Sequence, residues 1–147
     1  MIKNKKIFNS NAGYAITVLR LALAAVFMAH GAQKLFGLFG GGGLTGTAKF
    51  MASLGLEPSF LMALLAGLGE FGGGLLLLLG LATRVGAFLT AFVSLVAMLS
   101  VHISKGFFMS TGGYEYILIL LVASLVVMIE GSGPMALDKF LKGKNNE

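Results

Sequence analysis

The chain has 147 residues, of which 56% are hydrophobic and 12% charged, with a formal charge of +5; its mean hydropathy is +0.89. A soluble domain carries roughly 25% charged residues, so this composition describes a single integral membrane domain over residues 1–147, without a separate soluble catalytic part. The chain has no cysteine, which excludes thiol–disulfide exchange, thiolate zinc sites and iron–sulfur ligation by its own residues, and it carries no nucleic-acid-binding motif.

A bilayer-crossing helix needs about 20 mostly apolar residues. The first such run covers about residues 15–36 and follows a basic start at Lys3, Lys5 and Lys6. It is too long and too far from those lysines for a signal peptide, and "AHGA" is a poor cleavage site. The loop 37–58 comes next, opening on the flexible "GLFGGGG". Its second half predicts a short helix, with Thr47 as N-cap, Gly55 as C-cap and an apolar side of Phe50, Met51 and Leu54. "GGGLTG" matches GxGxxG by letter, but it follows a membrane helix rather than a strand and reads as loop.

The second span covers about residues 59–81, the third 85–102 and the fourth 114–130, each bounded by polar, glycine or proline punctuation. The runs are continuous rather than alternating, which points away from a β-barrel. The expected fold is therefore all-α, an integral membrane four-helix bundle. Basic residues give its orientation. With both termini inside, seven lie inside (Lys3, Lys5, Lys6, Arg84, Lys139, Lys142, Lys144) and three outside (Lys34, Lys49, Lys105). N-in and C-in is the expected topology, in a bacterial inner membrane, with loop 37–58 outside.

Ionisable groups within spans cost about 2.5–3.5 kcal/mol each on insertion scales, so each one calls for a reason. Arg20 lies in the first span and shares a helical stripe with Phe27, His30 and Lys34. Glu70 lies near the middle of the second, on a face made small by Ala63, Gly67 and Gly74, and Gly69 to Gly73 forms a GxxxG. Arg20 is the expected partner of Glu70. Such a pair either fixes helix register or serves as a proton or substrate site.

His30, Gln33, Lys34, His102, Tyr114 and Glu115 fall near the outer ends of three spans and are expected to converge on an outward-opening pocket. His30, His102 and Glu115 have the composition of a metal facial triad, and the two histidines that of a haem ligand set. A quinone headgroup is a further candidate. Alternatively the histidines are satisfied by lipid headgroups or backbone, the tyrosines belong to the interfacial belt, and Glu115 stabilises the start of a helix. Glu115 facing inward would answer Lys34 or His102.

"HGAQKLFG", "LAGLGEFGGG", "GFFMSTGGYEY" and "GPMALD" together resemble the DoxX family of small bacterial membrane proteins, over about residues 15–140. The resemblance implies a four-helix membrane bundle and a role as an oxidoreductase component. It also implies a link to quinone, since the related DoxD type belongs to a thiosulfate:quinone oxidoreductase. Soluble redox enzymes are implied partners, beside the lipid bilayer and a second copy of the chain. The resemblance carries no catalytic residue set. A small transporter or channel and a scaffold docking soluble redox enzymes are the alternative functions.

Overall fold

The computed structural model describes residues 12–144, and among them every regular element is helical. Helix α1 is Ala12–Phe36 and α2 is Gly43–Ser53. Helix α3 is Ser59–Leu79, α4 is Thr83–Ala97 and α5 is Glu115–Glu130. A short α6 spans Leu137–Lys144. Helices α1, α3, α4 and α5 pack in a ring, each against the next, with α5 closing back on α1. Three helical stretches, 13–36, 59–79 and 83–105, are long and apolar enough to cross a membrane. Helix α5 is equally apolar but has 16 residues, about 24 Å of helix, and completes the four-helix membrane bundle.

The outside of the ring is apolar, with Leu65, Leu75, Phe88, Phe92, Ile119 and Val126 exposed. Its inside combines an apolar cluster that includes Leu23, Phe27, Leu77, Leu120 and Val127 with small and hydroxylated residues. Thr90 Oγ1 donates to Ser124 Oγ at 3.0 Å, joining α4 to α5, and Ser94 Oγ donates to the Thr90 carbonyl at 2.8 Å. Lipid solvates apolar side chains as well as a core does, so close backbone approach and internal hydrogen bonds hold such helices together. Glycine supplies that approach on two sides of α3. A Cβ on Gly31 would lie 2.5 Å from the Phe71 nitrogen, and one on Gly74 would lie 2.9 Å from that of Met28, so α1 and α3 touch backbone to backbone. On the other side, a Cβ on Gly73 would meet the Gly86 carbonyl of α4 at 3.1 Å.

These contacts set the relative levels of α1 and α3. Gly31 stands beside Phe71, and Arg20 beside Gly80. The bundle thus has a terminal end, with the start of α1 and α6, and a loop end, with α2 and the 103–114 connection.

The ends differ from the sequence expectations in two places. Helix α2 starts at Gly43 rather than at Thr47. Thr47 is buried inside it, where its hydroxyl bonds the Gly43 carbonyl at 2.8 Å and the Lys34 carbonyl at 3.2 Å. It therefore satisfies an orphan carbonyl in the last turn of α1 instead of capping α2. Gly55, at φ 73°, does terminate that helix. The third span does not run as one regular helix to residue 102, because a π-helical turn, Met98–His102, follows α4 and leads into a 3₁₀ turn, Ile103–Lys105.

Candidate functional site

Glu70 is paired with Lys34, not with Arg20. Lys34 Nζ lies 2.8 Å from Glu70 Oε1 and 2.6 Å from Oε2. The Glu70 side chain is 9% exposed and that of Lys34 is 27% exposed. The expected Arg20–Glu70 pair is corrected by helix levels. Arg20 stands beside Gly80 whereas Glu70 precedes Phe71, a separation of roughly 15 Å at 1.5 Å per residue. Side chains lean towards their own helix N-terminus. Lys34 therefore leans down α1 and Glu70 up the antiparallel α3, and they meet.

Arg20 is 1% exposed and binds carbonyls instead. Its Nη1 donates to the Leu77 carbonyl and, at 3.1 Å, to that of Leu78. Its Nε donates to Ser132 at 3.1 Å and its Nη2 to Met135 at 2.5 Å, both carbonyls. Helix α3 cannot bond its last carbonyls internally, and the guanidinium's five fixed donors suit several acceptors at once. Arg20 thus closes the end of α3 and holds the 131–136 segment against it.

The outer-pocket residues fall into two groups. Lys34 belongs to the ion pair beneath α2. Gln33, on the same turn of α1, donates from Nε2 to the Phe39 carbonyl at 3.2 Å and secures the 37–42 turn. His30 is exposed and makes no side-chain hydrogen bond among the described residues.

The second group organises the 103–114 connection. His102 Nδ1 lies 2.7 Å from the Gly112 carbonyl. A carbonyl only accepts, so Nδ1 carries a proton and donates it to Gly112. Glu115 Oε1 accepts the Met109 N–H at 2.7 Å. Neither Lys34 nor His102 is its partner, because the loop's backbone donor lies directly over the start of α5. The Tyr114 ring packs edge-on against Phe107 at 5.4 Å. Among the described residues no three His, Asp or Glu side chains come close enough to hold a metal ion. The His30, His102 and Glu115 triad is thus not assembled.

Sequence reasoning missed the Lys34–Glu70 pair and a second feature, Asp138. Its carboxylate accepts the Ala82 N–H at 2.8 Å and the Thr83 N–H at 3.0 Å, at the start of α4. The motif "GPMALD" contained the signal, an acid in the first turn of a helix after a Gly-Pro break, but not its distant partner.

An apolar-surfaced helical ring with an ion pair set inside one end defines a small multi-pass membrane protein. The DoxX family model matches residues 15–103, and the chain belongs to that family. It is 36% identical over 130 residues to a Bacillus subtilis protein named "Putative oxidoreductase CatD", covering 88% of this chain and 89% of that one. It is also 29% identical over 131 residues to the Escherichia coli inner membrane protein YqjF, covering 88% and 93%. A Haemophilus influenzae protein is 34% identical over 137 residues, covering 88% and 92%. No solved structure matches the chain.

Proposed function

We propose that this protein is a quinone-linked component of a membrane oxidoreductase, oriented with both termini inside, and that the Lys34–Glu70 pair receives the quinone headgroup. The observation that carries this reading is the ion pair itself: two charges within the bundle, chelated to each other, with Lys34 still 27% exposed. The lysine has an N–H to offer a quinone carbonyl, and the carboxylate can accept from a quinol hydroxyl. These are the two bonds that a headgroup needs as it exchanges two electrons and two protons. The name of the Bacillus subtilis relative supports an oxidoreductase role. His30 and Gln33 lie on the same end of α1 as Lys34.

The test is titration of the purified chain with a short-chain quinone and its quinol. K34M and E70Q should each weaken binding about tenfold, the loss of one charge-assisted hydrogen bond, while H102Q at the other group leaves it unchanged. Equal binding by wild type, K34M and E70Q would sink the reading.

A further inference from the structure

At the terminal end, a groove of about 940 Å³ runs between the start of α1, the start of α4 and the 130–139 segment. Arg84 and Lys139 lie on its walls, with Tyr14, Ser132, Glu130 and Asp138. Arg84 donates from Nη2 to the Ile129 carbonyl at 3.2 Å, which leaves most of its donors unused. Lys139 is exposed, and its amine has no partner among the described residues. Thr83 also lines the groove. It is 1% exposed, and its hydroxyl is the one buried side-chain polar atom without a partner among the described residues.

The acids do not cancel the two cations. Asp138 is occupied by the Ala82 and Thr83 N–H groups and lies within electrostatic reach of Arg20. Counted together with the buried Arg20 behind Asp138, three cations face the two acids Asp138 and Glu130, an excess of one positive charge that suits a monoanion. Beside the groove, Met135, Leu137, Phe140 and Leu141 are exposed on α6 and the residues before it. Leu137, Phe140 and Leu141 follow the spacing of one helix face. The Asp138 N–H bonds the Gly80 carbonyl at 2.9 Å, so α6 is fixed to the α3–α4 turn at its start. A helix with an apolar face and basic residues, at the end of a membrane bundle, lies in the interface plane.

We propose that this groove binds the phosphodiester of a membrane glycerophospholipid, with Arg84 and Lys139 on the phosphate, Thr83 bonding from the wall, and the acyl chains along α6. The occupant is a lipid rather than a free anion because the cationic groove and the exposed apolar face adjoin. This site is at the opposite end of the bundle from Lys34 and Glu70 and does not depend on their role.

The full chain in detergent is titrated with a phosphatidylglycerol and with the diacylglycerol of the same acyl chains, and retention is read by native mass spectrometry. The phospholipid should be held about tenfold more tightly, and R84Q/K139Q should remove that difference. K49Q, in α2 at the other end, should preserve it. T83V, which deletes the unpartnered hydroxyl at nearly constant shape, should weaken phospholipid retention without lowering the lipid-free melting temperature. Equal retention of the two lipids overturns the proposal, as does failure of either groove variant to weaken binding. Displacement by millimolar inorganic phosphate assigns the groove to a free anion and also overturns it. Loss on neutralising Lys3, Lys5 and Lys6, with R84Q/K139Q unaffected, assigns binding to the N-terminal segment and does the same.

Discussion

Lys34 and Arg20 share one stripe of one helix yet meet opposite kinds of partner. Lys34 finds a carboxylate, a compact charge that suits an ammonium. Arg20 finds four carbonyls from two separate parts of the chain, which suit a planar fork of donors. The stripe was legible from spacing, and so was the inward face of Glu70, which lies between glycines that touch α1. The choice of partner was not legible, because it depends on how far α3 is offset along α1. The pair makes a stability prediction distinct from its proposed role. Breaking it by K34M strands a carboxylate that is 9% exposed, which should cost about 3 kcal/mol, the low end for a buried pair because Lys34 is partly exposed. The double variant K34M/E70M leaves no charge unpaired and should melt close to wild type in the same detergent. A double variant as unstable as K34M would show that the loss is one of packing rather than charge.

At the scale of elements, α3 is the hub, and the glycines of α3 and of the helix packed on it have unequal jobs. Gly31 of α1 stands where a Cβ would come 2.5 Å from the Phe71 backbone, which cannot yield as a side-chain tip can. Gly72 has open space around its missing Cβ. G31A should therefore push α1 from α3 and lower stability by about 1–3 kcal/mol. G72A should raise it by up to about 1 kcal/mol through helix propensity alone. Thermal melting of both in one detergent checks the pair of signs; a destabilised G72A or a neutral G31A would contradict the packing described. Element positions were well marked in the sequence: the run 59–81 became α3 at Ser59–Leu79, and 114–130 became α5 at Glu115–Glu130. Hydropathy and punctuation suffice for that. The loops were less legible. Thr47 resembled an N-cap because capping residues are recognised by type, yet its hydroxyl serves a carbonyl of another helix. The π-helical turn at Met98–His102 leaves no mark in composition, since it is a change in hydrogen-bond register, and the His102 bond to Gly112 became visible only once the loop had a path.

The whole molecule has two chemically different ends, and the orientation argued from lysine and arginine counts assigns them to opposite sides of the membrane. Because the chain lacks cysteine, a single introduced thiol reports its own side without background. A cysteine at Lys49 should react with a membrane-impermeant maleimide in intact spheroplasts, and one at Lys139 only after lysis. The reverse pattern would invert the bundle and place the Lys34–Glu70 pair near the cytoplasm. The partners of the loop-end residues also belong to this scale. Counting residues from the membrane surface placed them at one depth, but depth does not fix that Lys34 meets Glu70 while His102 and Glu115 bond the 103–114 connection.

Arg20 has a consequence for the order in which the protein is made. Leu77 and Leu78 reach its guanidinium as soon as the second span lies against the first, whereas Ser132 and Met135 are more than a hundred residues away along the chain. A charge carried by α1 is thus fully solvated by protein only after residues 132–135 have been synthesised. The bond network that α1 opens closes only with the 131–136 segment, and a chain stopped short of residue 132 retains a half-solvated cation inside the bundle.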